Sequence, residues 1–401
     1  MNRSTPLPGQ VKCGFETNSA CPILDADGSN HITREYTGIV LERLQHLPSG
    51  GKMGDLPEHL QHESFIRTGS KKTGGPNMRL LRLEMDKPSL TVTAYIFNKF
   101  VHPTRDRYIT PREAACLQDF PDEWAFVGRL GEVHHQVGNA VPVRLAEAIA
   151  RSVSDFLVSR GIRGEIPIAS YFCGAGGLDL GFENASSPEV SFSTKFCTDI
   201  DKACGYTVEL NRPEWGFFLG DITEFSGEVV LQHMGEQPLV VIGGPPCQPF
   251  SVAGKQKATT DPLGQLYRDY IEHVAILDPE IVIMENVYGL KQVKSSNVLH
   301  EIETAFHEIG YEVKHKELLA ADYGTPQMRR RLIFVATKGS NDFIFPDPSH
   351  CAENNIFGLP LYNGAGNSFA HLPEPKDMNN LPNKKMELTP IPLRVIGEAH
   401  L

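Results

Sequence analysis

Pro238-Leu239-Val240-Val241-Ile242-Gly243-Gly244-Pro245-Pro246-Cys247-Gln248-Pro249-Phe250-Ser251 is the stretch on which the reading of this chain turns. Its first part is a short, unbroken apolar run, the pattern of a strand buried on both faces of a parallel sheet. Its second part is a turn of Gly and Pro that sets a cysteine at the carboxyl end of that strand. Open α/β sheets do their chemistry there. The prolines fix the backbone and so fix the direction of the thiol. A cysteine alone is more often a small buried hydrophobe than a nucleophile. The Pro-Pro-Cys-Gln setting reverses that weighting.

Outward from this stretch, apolar strands recur near 166–172, 192–198, 239–242, 281–284 and 332–336, with helical stretches between them. A further short strand precedes Gly220. The alternation predicts a doubly wound, mostly parallel sheet, an α/β fold of Rossmann-like type. Upstream, Pro111 to Phe120 reads as a short helix with Thr110 as cap, Pro111 in its first position and Glu113 closing a capping box. Leu145 to Val158 reads as an amphipathic helix, joined to the first strand by a basic, glycine-containing link at Arg160–Gly164. Residues 1–30 lack periodicity. Residues 338–401 are rich in Pro, Asn and Gly and predict an irregular subdomain.

The chain has 401 residues, of which 40% are hydrophobic and 22% charged, ordinary values for a globular protein. No run approaches a membrane span, and the first residues form no apolar signal, so a cytoplasmic location is expected. The eight cysteines make no CxxC pair. That argues against a zinc site, and no metal is expected. The net charge of −11 speaks against nucleic acid. Between Arg67 and Glu113, however, ten basic residues face four acidic ones, a candidate phosphate-contacting strip.

The first strand runs into Phe172-Cys173-Gly174-Ala175-Gly176-Gly177-Leu178, whose glycines allow a tight turn and close approach to a ligand. The spacing is not the dinucleotide fingerprint. The second strand ends in Thr198-Asp199-Ile200-Asp201, where an acid is the expected partner of ribose hydroxyls. Either aspartate could instead be a helix cap. Gly220-Asp221-Ile222-Thr223 follows the third strand, with a carboxylate able to accept from an adenine amino group. Together these features fit a nucleoside cofactor without a diphosphate.

These stretches, with Pro245-Pro246-Cys247-Gln248, Glu285-Asn286-Val287 and Gln327-Met328-Arg329-Arg330-Arg331, resemble the C5-cytosine DNA methyltransferases. So do Arg107–Glu113, Leu117–Pro121 and Gly138-Asn139-Ala140-Val141-Pro142. The likeness covers nearly all of residues 79–336. The last three motifs normally close the family's chain, yet here they precede the cofactor loop, so the chain resembles a circularly permuted member. On that reading, residues 1–95 and 338–401 build the target-recognition domain, 96–158 carry the displaced motifs, and 159–337 form the catalytic domain. Ser170-Tyr171 stand where the family usually has Asp-Leu, Asp199 where Glu is usual, and Leu263 where Arg is common.

The resemblance implies a DNA (cytosine-5)-methyltransferase of a restriction-modification system, with S-adenosyl-L-methionine as cofactor and duplex DNA as partner. It implies a monomer that associates with the nucleoid when bound to DNA. Cys247 would attack C6 of a cytosine flipped out of the helix. Glu285 would bind N3 and the exocyclic amine, Arg331 would hold O2, and Arg329 would support the site. The alternation Gln327-x-Arg329-x-Arg331 predicts all three on one strand face. The cofactor would meet Phe172, Gly174, Gly176, Gly177, Leu178, Asp199, Ile200, Asp221, Ile222, Gly244, Leu266, Asn139 and Val141. DNA would meet Thr91, Gln248, Ser251 and Lys255. Three rivals stand beside this reading: a tRNA cytosine methyltransferase, a non-catalytic cofactor-binding module, and a generic nucleotide-binding protein. Intact Cys247, Glu285 and Arg331 weigh against the second, and Pro-Pro-Cys-Gln against the third.

Overall fold

A computed structural model describes residues 10–11, 30–62, 80–94, 99–246, 266–287, 298–339, 342–353, 355–356, 358–377 and 393–395. In chain order its elements begin with β1 (Gln10–Val11), β2 (Ile32–Thr33), α1 (Gly38–His46), β3 (Leu81–Arg82), β4 (Ser89–Leu90) and β5 (Phe100–Val101). Three helices follow, α2 (Pro111–Cys116), α3 (Leu130–Asn139) and α4 (Val143–Ser159). The alternating part is β6 (Gly164–Tyr171), α5 (Gly177–Asn184), β7 (Val190–Asp199), α6 (Lys202–Asn211), β8 (Phe217–Leu219), α7 (Gly227–Met234), β9 (Val240–Gly243), α8 (Leu266–Leu277), β10 (Ile281–Val287) and α9 (Val298–Glu308). The chain continues through β11 (Tyr311–Leu319), β12 (Gln327–Met328), β13 (Arg330–Lys338), α10 (Ala365–Ser368), β14 (Lys376–Asp377) and β15 (Leu393–Val395).

The main sheet has the order β1-β15-β8-β7-β6-β9-β10-β13-β11. Strands β8, β7, β6, β9 and β10 are mutually parallel, while β13 runs antiparallel to both β10 and β11. The strand order reverses between β6 and β9, the switch point at which such sheets bind ligands. Helices α4 and α5 cover one face, with Leu145, Ile149 and Phe182 packed on Ile168, Ile242 and Ile283. Helices α7, α8 and α9 cover the other through Val230, Val274 and Ile302.

The structure has the expected α/β sheet, with three differences of detail. Strand β11 was not expected, because its interior residues from Glu312 to Glu317 include no fully buried one and so give no apolar run. The helix at Pro111 ends at Cys116 rather than Phe120, although its capping box forms as expected: Glu113 N–H donates to Thr110 Oγ1 at 3.1 Å, and Thr110 N–H donates to the Glu113 carboxylate at 2.7 Å. Residues near both chain ends, in β1 and β15, extend the main sheet at the β8 edge. Elsewhere segments from the two ends meet directly: β2 pairs with β14, and Ala365 N–H donates to Lys87 O at 2.8 Å. Among the described residues, no helix is long and apolar enough to cross a membrane.

Candidate active site

Strands β9 and β10 are parallel neighbours, with Gly243 beside Met284, so the Gly-Pro turn and Glu285 leave the sheet together. A side chain at Gly244 would stand 3.3 Å from Glu285 Oε2. Glu285 pairs in register with Ile333 and Val287 with Arg331. Arg331 is therefore the diagonal neighbour of Glu285 on one face of the sheet. Its Nε forms an ion pair with Glu285 Oε1, and both side chains are mostly buried. Burial lowers the Arg331 pKa, and the Glu285 carboxylate partly offsets that.

The expectation of one strand face for Gln327, Arg329 and Arg331 fails. Arg329 N–H turns back to Gln327 O at 2.9 Å, which breaks the strand into β12 and β13. Gln327 and Arg329 become internal clamps instead. Arg329 is 1% exposed and donates to Val92 O at 2.7 Å and Gly138 O at 3.0 Å. Gln327 accepts from Val92 N–H at 2.7 Å and donates to Leu117 O at 2.8 Å. Thr91 Oγ1 donates to Met328 O at 3.0 Å, so Thr91 is pinned beside the β12–β13 turn. Gly138 has to be glycine, since a Cβ there would lie 2.2 Å from Ala94 N. Lys99 is a residue the sequence reading counted only as part of a strip. Its Nζ donates to Thr91 O at 2.8 Å, and burial, with Arg329 nearby, lowers its pKa to about 8.

At the other end of the switch point, the loop after β6 is shaped by backbone. Phe172 has φ of 53°, an unfavourable conformation for a bulky residue and of the kind that gathers at ligand sites. A Cβ at Gly177 would stand 2.4 Å from Val141 O, so α5 can start only where glycine lets the Asn139–Val141 segment approach. Asp199, at the end of β7, accepts from Gly174 N–H at 2.9 Å and Asp201 N–H at 2.8 Å. Burial raises its pKa. Asp201 is the helix cap, accepting from Ala203 N–H at 2.8 Å. The cap reading thus falls to Asp201, and Asp199 is left as the strand-end carboxylate. Asp221 caps the following turn through Thr223 N–H at 3.0 Å. Ile200 is 69% exposed beside the loop, whereas Ile222, Leu178 and Val141 are core residues. Asn139 is exposed, and Leu266 opens α8 against the core.

Cys247, Gln248, Ser251 and Lys255 lie outside the described residues. Of the basic strip, Arg67, Lys71, Lys72 and Arg79 lie outside the described residues, Lys87 and Arg105 are exposed, and three arginines are turned inward. Arg82 is buried and donates to Leu47 O at 2.8 Å and His102 O at 2.9 Å, and Arg112 is buried on Pro121 O and Trp124 O. Arg107 forks onto Glu113 at 2.7 and 2.8 Å. Guanidiniums are used here to satisfy backbone carbonyls and a buried acid, a role that charge counting does not separate from phosphate binding. A cleft of about 800 Å³ lined by Asp119, Asp122, Arg144 and His371 has none of the expected site residues in its lining.

A family model described as C-5 cytosine-specific DNA methylase matches residues 32–155 and 166–388. The type II methyltransferase M.AquIA of Picosynechococcus sp. is 36% identical over 209 residues, which cover 49% of this chain and 82% of that protein. M1.HphI of Haemophilus parahaemolyticus is 36% identical over 206 residues, 51% of this chain and 52% of that protein. M.NgoMIV of Neisseria gonorrhoeae is 38% identical over 179 residues, 44% of this chain and 54% of that protein. The matched part spans most of the first relative and little more than half of the other two.

Proposed function

The chain belongs to the C-5 cytosine-specific DNA methylases, and from that premise we propose that it methylates cytosine C5 in duplex DNA with Cys247 as nucleophile, within a restriction-modification system. The observation that carries this reading is the Glu285–Arg331 pair, held at the carboxyl end of β10 next to the strand that leads into Pro-Pro-Cys-Gln. Three relatives of this chain bear the name type II methyltransferase, which supports the restriction-modification setting.

Cytosine C5 is a poor nucleophile. The Cys247 thiolate would form a bond to C6, pushing an electron pair towards C5. Glu285 would hold N3 and the exocyclic amine, and Arg331, oriented by Glu285, would hold O2. After C5 is methylated, loss of its proton returns the electron pair, breaks the S–C6 bond and releases the thiolate. Arg329 and Arg331 against the single carboxylate of Glu285 leave a local positive excess, which favours the thiolate. The target base has to leave the helix to reach such a site.

The residues of the cofactor end fit S-adenosyl-L-methionine. The glycine at 177 leaves a close-packed turn, Asp199 offers a carboxylate at a strand end, and Ile200 is an exposed apolar surface beside it. When bound, the cofactor supplies an electrophilic methyl group. Phe172, Gly174, Gly176, Asp199, Asp221 and Gly244 would hold it, with the Asn139–Val141 segment closing the pocket.

The motif order is a circular permutation on this reading. Helix α4 packs against β6 and α5 and passes into β6 through Arg160, Gly161, Ile162 and Arg163, a link tied down by Ile162 N–H to Leu157 O at 2.9 Å. The chain ends then fall in the recognition region, in keeping with the contacts of Ala365 with Lys87 and of Lys376 with His31. The test is transfer of labelled methyl to duplex DNA and, in parallel, to tRNA. Wild type is expected to label DNA, and Cys247→Ser to lose at least about 10⁴-fold in rate. Label in tRNA alone would overturn the DNA reading, and label unaffected by Cys247→Ser would overturn the mechanism.

A further inference from the structure

Asp179 is in the first turn of α5, is 0% exposed, and has no part in the mechanism above. One carboxylate oxygen accepts from Thr194 Oγ1 of β7 at 3.3 Å. The other has no hydrogen-bond partner among the described residues, and neither has the hydroxyl of Ser170 on β6, which interacts with the same carboxylate. The side chain therefore lies between the helix that ends the cofactor loop and the two strands β6 and β7, which lead into Phe172 and end at Asp199. Its neighbours able to ionise are Glu183 on α5, Cys197 on β7 and Cys173 in the loop. None of them supplies a positive charge.

Burial raises the Asp179 pKa to about 6. At neutral pH the fold thus keeps an ionised, incompletely bonded acid in its interior, a choice that weakens stability. An apolar residue would pack there at less cost.

We propose that Asp179 is the positioning residue of the cofactor loop, its buried carboxylate joining the first turn of α5 to Thr194 on β7 and Ser170 on β6. It would tie the first turn of α5 to Ser170 and Thr194 and so fix the path from Phe172 to Gly177. The helix start favours a negative charge at this point. This inference rests on the cofactor reading given above.

The test compares wild type with Asp179→Ser, Asp179→Asn and the swap Ser170→Asp/Asp179→Ser, all as the full chain. Affinity for S-adenosyl-L-methionine is read from tryptophan fluorescence. The chain has two tryptophans, Trp124 and Trp215, with ring centroids 5.8 Å apart, and Trp215 lies against Gly176. Hydrogen exchange over 172–177 without cofactor is the second reading. Asp179→Ser is expected to weaken binding about tenfold or more and to raise loop exchange, while the swap recovers most of both. Asp179→Asn, which keeps an acceptor without the charge, should fall between them and stands in if the serine variant does not fold. Unchanged affinity and exchange in the single variants would overturn the proposal, as would a swap no better than Asp179→Ser. A wild type that binds no cofactor would break the reading of function instead, and the exchange comparison would still decide the role of Asp179.

Discussion

The loop after β6 and the turn between β12 and β13 face the same end of the sheet, yet they are held by different means. In the first, the constraints are local. Phe172 at a positive φ, Gly177 against Val141 O, and Asp199 on Gly174 N–H act within about 60 positions of one another. In the second, they are distant. Gln327 and Arg329 reach Val92, Leu117 and Gly138, close to 200 positions or more away in the chain. A glycine-shaped loop can be adjusted one residue at a time. A buried guanidinium that serves two distant chain segments cannot, because removing it leaves several carbonyls without donors at once.

This difference is sharpened first by Arg329→Ala. It should cost roughly 3–5 kcal/mol of stability, measured by urea unfolding, since a buried cation and its bonds to Val92 O and Gly138 O disappear together. A cost below about 1 kcal/mol would mean that the clamps do not hold this end. Arg331→Ala should act on rate instead. Its partner Glu285 stays in place but loses its orientation, and kcat should fall on the order of 10²–10³-fold with a smaller change in stability. If the two variants behaved alike, Arg329 and Arg331 would share one role.

The same contrast accounts for what could be read from the sequence. The βα alternation, the capping box at Thr110 and the division of Asp199 from Asp201 all rest on neighbours in the chain, and each was legible or narrowed to two choices. The clamps were not. Gln327, Arg329 and Arg331 have the spacing of one strand face, and nothing local announces the turn at Arg329 that breaks it. Within the basic strip, the arginines that turn inward escaped notice for a related reason. Arg82 and Arg112 look like surface charge in composition, but each is committed to backbone carbonyls tens of positions or a turn away. Strand β11 has too few buried residues to give an apolar run, and its place in the sheet comes from pairing along its length with β13 and from Tyr311 and Leu318 in the core at its two ends.

A buried acid from each region gives a comparison by pH. Burial raises Asp179, on the cofactor side, to about 6 and Asp119, which accepts from Thr325 Oγ1 at 2.6 Å, to about 7. Both lie above the unfolded carboxylate value, so the neutral form is the one the fold prefers. Their contribution to stability is present in full below pH 4 and is lost as pH rises, through about 6 for Asp179 and about 7 for Asp119. The loss is on the order of 3 kcal/mol for Asp179. Asp179→Asn should flatten the lower step and Asp119→Asn the upper one, in unfolding free energies taken across pH 4–8. If stability instead rose over that range in wild type relative to both variants, these acids would be ionised and paired in the fold.

The smallest expected effect separates Asp199 from Asp201. Both sit after β7, two positions apart, and both accept from backbone N–H groups. Asp201 serves only the start of α6, so Asp201→Ala should cost about 1 kcal/mol of stability, the usual worth of a helix cap. Its affinity for S-adenosyl-L-methionine should stay within about twofold of wild type, because α6 is held also by Val208 in the core. Asp199→Ala removes the acceptor that ties Gly174 to β7, so it should lower affinity while leaving α6 capped. An equal loss of affinity in both variants would show that the cap, and not the strand-end carboxylate, sets the loop. The comparison then turns on one hydrogen bond, Gly174 N–H to Asp199, which with Cys173 N–H to Thr198 O at 3.1 Å joins the loop to β7.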